Sequence, residues 1–134
     1  MNQQDNLSIV KAIYDAVGSA DIEAILGRVA DDVDWAAEAA SQAAPWYGQR
    51  AGQDGVASFF KDLASSVEIS EFTPHAFAAA GDDVHLLVNW TIRSIATGRS
   101  ASMTMHHYWQ LRDGKVTRFR GSEDTELTAS VFAA

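Results

Sequence analysis

The stretch MHHYWQLRDGKV (residues 105–116) decides the fold, because it reads as a β-strand that turns tightly into the next strand. Successive side chains of a strand point to opposite faces. One face would carry His107, Trp109 and Leu111, and the other His106, Tyr108 and Gln110. The Asp113-Gly114 pair supplies the positive φ angles that two-residue hairpin turns require. Leu111 is the natural core residue before the turn, so His107 is predicted to face inward.

The periodicity of the chain changes at Ser66 from helical to strand-like. Apolar residues at three- and four-residue spacing predict a helix from Asp5 or Asn6 to Gly18, a second capped by Asp21, and a third opened by Asp54. Between them, a short strand is predicted around Val33 and Trp35, and residues 36–52 are predicted to form a loop or flap. Predicted strands cover Val67–Ala78, with Pro74 permitting only an edge or a bulge, then Val84–Ala96, Ala101–Leu111 and Val116–Arg120. Three helices followed by an antiparallel meander predict an α+β domain.

Composition excludes several classes of protein. The 134 residues suit a single domain, 1–134, and the net charge of −8 argues against nucleic acid or an anionic membrane as a partner. The absence of cysteine excludes disulfides and thiolate chemistry. The start of the sequence has no secretion signal, and no apolar run approaches the roughly 20 residues needed to span a bilayer. A cytoplasmic location is the expectation.

No motif for a cofactor is present. His106 and His107 are adjacent on a strand and point to opposite sides, so they cannot easily share a metal ion. No phosphate-binding loop, nucleotide fingerprint or nucleophile elbow occurs. The acidic residues of SEDTE (122–126) are interpreted as a solvated terminus. The expectation is a protein with neither a metal nor a cofactor.

Three stretches resemble the nuclear transport factor 2-like superfamily, in its SnoaL-like polyketide cyclase and ketosteroid isomerase-related branch. They are YDAVGSADIEAILGRVADDVDW (14–35), GQDGVASFFKDL (52–63) and HHYWQLRDGKVTRFRGSEDT (106–125). The resemblance covers nearly the whole chain. It implies a cone-shaped domain in which a strongly curved, mostly antiparallel sheet wraps around three helices and leaves an apolar pocket at the open end. It says less about function, because a fold hosts many chemistries.

The resemblance also implies a pair of catalytic residues. In the polyketide cyclases a His and an Asp on the last strands act as acid and base, and by position they match His107 and Asp124. An imidazole that titrates near neutrality suits proton transfer. Two other interpretations stay open: His107 as a core histidine bonded to a backbone carbonyl, and Asp124 as a solvated carboxylate. Gly121 and Ser122 depart from the bulkier residues of relatives.

Aromatic side chains are the candidate walls of the pocket. Trp46 and Tyr47 lie in the Pro-containing loop, where closure over the pocket mouth would explain them. Trp90 shares a strand face with core residues and can be either core or wall. The candidate substrate-binding set is Tyr14, Trp35, Trp46, Tyr47, Phe59, Trp90 and Trp109.

Two functions fit these features. The first is a cofactor-free isomerase, cyclase or dehydratase acting on a cyclic or polyketide-like carbonyl compound. The second is a non-catalytic ligand-binding or dimerisation module with the same pocket. Both predict a small hydrophobic ligand. The face carrying His106, Leu87 and Tyr108 predicts a homodimer, because an exposed patch of this kind is usually covered.

Overall fold

The helices pack on one face of a single mixed sheet in a computed structural model, which describes residues 2–133. In chain order the elements are α1 Gln3–Gly18, α2 Ile22–Leu26, β1 Val29–Ala37, β2 Gly48–Ala51, α3 Gly52–Ser66, β3 Val67–Ala80, β4 Asp83–Ser94, β5 Ser100–Arg112, β6 Lys115–Ser122 and α4 Thr125–Phe132. The α+β class and the three N-terminal helices that the sequence predicts are therefore confirmed.

Six strands form the sheet in the order β2-β1-β6-β5-β4-β3. Strands β3 to β6 are antiparallel neighbours along the chain, which confirms the predicted meander. β1 pairs with β6 in parallel and with β2 in antiparallel. The sheet is thus mostly antiparallel, with one parallel pair.

The turn between β5 and β6 has the backbone that its sequence demands. Asp113 and Gly114 have φ angles of 50° and 80°. Both lie in the left-handed region, where Asp and Gly are the favoured residues. The hairpin fixes the register in which His107 faces Gly121 across the two strands.

At the far edge of the sheet, β3 tolerates a proline because its outer side has no neighbour. Pro74 pairs with Val88 of β4, and the register shifts between His75 and Ala78. Ala76 has a φ of 57° at this bulge. The predicted edge strand with a bulge is confirmed.

Alternation along β4 and β5 places the core on the helix-facing side of the sheet, called the inner face below. Val84, Leu86, Val88, Trp90 and Ile92 of β4 are buried, as are Met105, His107, Trp109 and Leu111 of β5. On the opposite, outer face, His85 and His106 are exposed. The inward prediction for His107 and Trp109 is confirmed.

The predicted loop 36–52 is wrong at both ends. β1 continues through Ala36 and Ala37, and β2 (Gly48–Ala51) pairs with it before α3 begins at Gly52 instead of Asp54. β2 has four residues, none of them buried, so no apolar alternation marks it in the sequence. Only the segment between these strands is a connection.

The C-terminal acidic stretch is also not simply a solvated terminus. Thr125–Phe132 forms α4, with Thr128 and Val131 buried. Asp124 caps this helix, because its side chain accepts a hydrogen bond from the Leu127 amide at 2.9 Å. The helix lies against β4 and β5 and closes one end of the core.

Candidate functional site

An apolar cavity lies between the inner face of the sheet and the helices. Its volume is about 230 Å³. Six of the seven predicted substrate-binding residues line it, which are Tyr14, Trp35, Trp46, Phe59, Trp90 and Trp109, together with His107, Gly121 and Glu123. No Lys or Arg side chain is among the described lining residues. The cavity therefore suits an uncharged, hydrophobic molecule.

Aromatic rings form most of the cavity wall. Trp35 meets Trp109 edge-on, with ring centroids 5.5 Å apart, and Trp46 meets Trp90 in the same way at 5.8 Å. Within residues 2–133, the indole N–H groups of Trp35 and Trp90 have no hydrogen-bond partner. Edge-to-face packing of this kind holds the rings in fixed positions.

Tyr14 connects helix α1 to the polar part of the wall. Trp109 Nε1 donates to the Tyr14 hydroxyl oxygen at 3.0 Å, and Tyr14 Oη lies 2.5 Å from His107 Nδ1. An indole N–H only donates, so the tyrosine oxygen accepts from Trp109. Among the described residues the hydroxyl proton has no acceptor other than Nδ1. Tyr14 therefore donates to His107, and the imidazole carries its own proton on Nε2.

Burial determines the charge of this pair. It lowers the pKa of His107 from 6.5 to about 3, with a further lowering by the neighbouring His106. Burial also raises the pKa of Tyr14 well above its usual value, against the hydrogen bond from Trp109. Both side chains are therefore neutral at pH 7. Burial disfavours the charged imidazole, so the expectation that His107 titrates near neutrality is corrected.

Glu123 is the acidic side chain of the cavity. Its carboxylate accepts hydrogen bonds from Trp46 Nε1 at 3.2 Å, from Tyr47 Oη at 3.1 Å and from Thr128 Oγ1. Burial raises the pKa of Glu123, and the three hydrogen bonds oppose that rise. The carboxylate thus ties the loop after β1 to helix α4 at the cavity wall.

Asp124 does not face the cavity, so its predicted pairing with His107 is corrected. Its side chain is exposed and its carboxylate caps α4. The strand alternation that turns Phe119 and Gly121 inward continues to Glu123 and directs Asp124 outward. Extending this alternation by one residue pair in the sequence is the signal that would have identified Glu123.

Tyr47 also differs from its predicted place. It is absent from the cavity lining, and its hydroxyl donates to Glu123 from the side of the loop. The coulombic repulsion of Glu123 is one of the effects that raise the pKa of Tyr47, after burial. Trp46 is the loop residue that forms the wall, at 1% exposure.

Gly121 leaves space beside His107. A β-carbon at this position would lie 3.2 Å from Phe119 Cζ and 3.4 Å from His107 Cδ2. These contacts are at the limit of close packing. A side chain at Gly121 would therefore narrow the cavity next to the imidazole.

No group of three or more His, Asp or Glu side chains within residues 2–133 is arranged to hold a metal ion. In the same part of the chain, every helix is too short or too polar to cross a bilayer.

Residues 10–119 match the family model of the SnoaL-like domain. The chain belongs to this family. Its nuclear transport factor 2-like fold, predicted from the sequence, is thereby confirmed. No functionally curated protein shows significant similarity to it.

Solved structures of the same fold are similar over almost the entire SnoaL-like chain. A protein of this fold from Burkholderia xenovorans LB400 is 28% identical, with a TM-score of 0.89 and 99% of both chains covered. TerC, co-crystallised with polyporic acid, is 25% identical, with a TM-score of 0.87 over 97% of this chain and 99% of that one. A protein of unknown function from Burkholderia pseudomallei K96243 is 24% identical, with a TM-score of 0.88 over 97% and 98% of the two chains.

Proposed function

We propose that this SnoaL-like protein binds a small, flat, hydrophobic carbonyl compound in the cavity and moves a proton next to the carbonyl group without a cofactor. The observation that carries the proposal is the half-buried carboxyl of Glu123, whose pKa is raised, in an apolar cavity that also contains the neutral Tyr14–His107 pair. This combination supplies a proton carrier and a neutral hydrogen-bond donor in one water-poor site.

The size and lining of the cavity support the class of ligand. Pockets for drug-sized molecules measure roughly 300–1,000 Å³, and this cavity is smaller, at about 230 Å³. Tryptophan and phenylalanine rings favour a flat hydrophobic ligand. TerC, a similar protein that was co-crystallised with polyporic acid, supports an organic compound as the class of ligand.

The proposed chemistry uses two groups that line the cavity. The Glu123 carboxylate would take a proton from the carbon next to the carbonyl, and the Nε2–H of His107 would donate to the oxygen of the resulting enolate. Return of the same proton from Glu123 to another carbon completes an isomerisation. Burial raises the pKa of Glu123 toward the pH of the solution. A group that carries protons efficiently has its pKa near that pH.

Exchange of the α-protons of β-tetralone with D₂O, followed by NMR, tests the reaction on a flat bicyclic ketone. Glu123→Gln should slow the protein-catalysed exchange by about 10² to 10⁴, the usual worth of a general base. The matched control is Asp124→Asn, one residue along and outside the cavity, which should exchange as the wild type does. Equal exchange by the wild type and Glu123→Gln would contradict the catalytic proposal.

A non-catalytic binding protein is the second candidate. It is favoured by the three donors that already occupy the Glu123 carboxylate, which make this group a structural tie as well. In this case Trp46→Ala weakens the binding of β-tetralone, measured by quenching of tryptophan fluorescence, and Glu123→Gln changes no exchange rate. If Trp46→Ala and Glu123→Gln both bind the ligand as tightly as the wild type does, the cavity is excluded as the binding site.

We also propose that the protein forms a homodimer through the outer face of the sheet. On this face Leu87 is half-buried, and the rings of His85, His106 and Tyr108 lie against one another at the surface. Aromatic groups of this kind are enriched where protein surfaces meet.

A further inference from the structure

Two histidines face each other on the outer side of the sheet, away from the cavity. His85 of β4 and His106 of β5 are both exposed, and a hydrogen bond of 3.2 Å joins His85 Nδ1 and His106 Nε2. Their rings are stacked, with centroids 5.3 Å apart and an angle of 26° between the planes. The sequence separates them by 21 residues, and only the antiparallel pairing of β4 with β5 brings them together.

The distance between these nitrogen atoms matches that between two ligands of one metal ion. Imidazole nitrogens bind Zn²⁺ at about 2.0–2.1 Å, and related ions have similar bond lengths. Two such bonds at a right angle or at the tetrahedral angle put the nitrogens about 2.9–3.4 Å apart. We propose that His85 and His106 bind one divalent late transition-metal ion, with water molecules completing its coordination. This site is independent of the proposed activity in the cavity.

The backbone of the pair is fixed by the sheet. His85 pairs with Tyr108, and His106 with Leu87, in two adjacent strands that each have a further neighbour. Both imidazoles therefore start from fixed backbone positions, and to bind one ion both rings must rotate about their exposed side-chain bonds so that the lone pairs turn from each other toward the ion. The ring that now donates in the hydrogen bond takes its other tautomer, so binding needs no net loss of a proton.

Charges of both signs lie near the pair, because the positive charges of Arg118 and Arg120 on β6 act on Tyr108. Asp83, on the same strand as His85, accepts a hydrogen bond from Tyr108 Oη at 2.7 Å, and the ring of Tyr108 lies 5.0 Å from that of His85. The chain as a whole carries a net charge of −8. Imidazole ligands suit copper, nickel and zinc, and the general order of affinities places Cu²⁺ first.

The site has two protein ligands, which sets its character. Structural zinc sites have four protein ligands, and sites with fewer leave positions open to water or other molecules. An ion held by His85 and His106 is therefore exchangeable. The proposed dimer would cover the same face, so ion binding and dimer formation compete, and the ion should lower the mass of the protein in solution toward that of one chain.

Titration with Cu²⁺ alone, read by electron paramagnetic resonance, tests the proposal. We expect one ion per chain with hyperfine coupling to two nitrogen ligands. His85→Ala and His106→Ala should each weaken the binding of Cu²⁺ at least about tenfold. Losing a residue that only supports a metal ligand already costs about this much. Both residues are exposed, and circular dichroism will show that the variants keep the fold.

His75→Ala is the matched control. His75 lies in the same sheet, on β3. Its Nε2 forms a hydrogen bond with Asn89 Oδ1 at 3.0 Å, so it is not part of the His85–His106 pair. This variant should bind Cu²⁺ as the wild type does. Equal copper affinity in all three variants, or a spectrum without two nitrogen ligands, would overturn the proposal.

Discussion

Tyr14 is the residue on which the polar side of the cavity depends. Its hydroxyl accepts from Trp109 and donates to His107, and all three side chains are buried. Tyr14→Phe keeps the ring but leaves an indole N–H and an imidazole nitrogen without their partner. Leaving a buried polar group unpaired costs about 1–3 kcal/mol, and we expect a loss in this range from the free energy of unfolding in urea.

Tyr108→Phe is the control for this change. Its hydroxyl donates to Asp83 on the outer face, where water can replace the lost partner. The free energy of unfolding should fall by no more than an ordinary hydrogen bond contributes, which is about 0.5–1.5 kcal/mol. A Tyr108→Phe loss as large as that of Tyr14→Phe would show that the buried chain has no special stabilising role.

The pKa of His107 makes stability depend on pH. The unfolded chain binds a proton on this histidine below 6.5, whereas the folded protein does not until about pH 3. Between these values the unfolded state holds more protons, so stability rises with pH and is lost as pH falls. One such group contributes at most about 1.4 kcal/mol per pH unit.

Urea unfolding at several pH values between 4 and 7 measures this slope, with His107→Gln as the comparison. The variant keeps a polar side chain that does not titrate, so its slope should be shallower than that of the wild type. Parallel slopes for the wild type and His107→Gln would disprove the depressed pKa.

At the scale of single residues, the sequence predicts which side chains face inward but not their chemistry. Alternation along one strand was enough to place His107 and Trp109 on the inner face. The hydrogen bond of His107 to Tyr14 joins residues 93 positions apart, and no local pattern encodes it. The sequence did not identify Glu123, because an acidic residue among acidic neighbours is expected to be exposed to water. Only the structure shows the three side chains that donate hydrogen bonds to it.

Among the elements, helix α4 is one that the sequence did not predict, because its acidic start was interpreted as a solvated terminus. Asp124 caps the helix through the Leu127 amide, and replacing such a cap by alanine costs about 0.5–2 kcal/mol. Asp124→Ala should therefore lower the free energy of unfolding by this amount. It should leave the fluorescence response to β-tetralone unchanged, because the side chain lies outside the cavity.

Glu126→Ala is the comparison for Asp124→Ala. Glu126 is also exposed and lies in the first turn of α4, but it is not the residue that caps the helix. We expect a loss of stability smaller than that of Asp124→Ala. A loss of ligand binding in Asp124→Ala, with the helix intact by circular dichroism, would contradict the purely structural role of this aspartate.

Elements with a buried face were predictable, and elements without one were not. Helices α1 and α3 and strands β4 and β5 repeat apolar residues at the period of their structure. Strand β2 has four residues and owes its place to pairing with β1, so its sequence carries no such period. The parallel pairing of β1 with β6 joins distant parts of the chain, so no local sequence pattern predicted it.

In the whole molecule, the inner face of the sheet is where fold and function meet. The helices bury this face except at the cavity, which aromatic and aliphatic side chains line together. The polar groups of the cavity come from α1, β5 and the end of β6. A single fold can thus carry many activities, because these few positions can change while the core stays the same.

Association is the prediction that concerns the entire molecule. Leu87 is half-buried on the outer face, opposite His106 in the neighbouring strand, and a dimer through this face would cover it. Light scattering should give a mass about twice the 14.5 kDa of one chain. Leu87→Asp places a charge in the interface, and burying an unpaired charge is costly enough to favour the monomer. Gln42→Asp adds the same charge in the exposed loop after β1 and should leave the mass unchanged. A mass near 14.5 kDa for the wild type at every concentration would show that the outer face is free in solution.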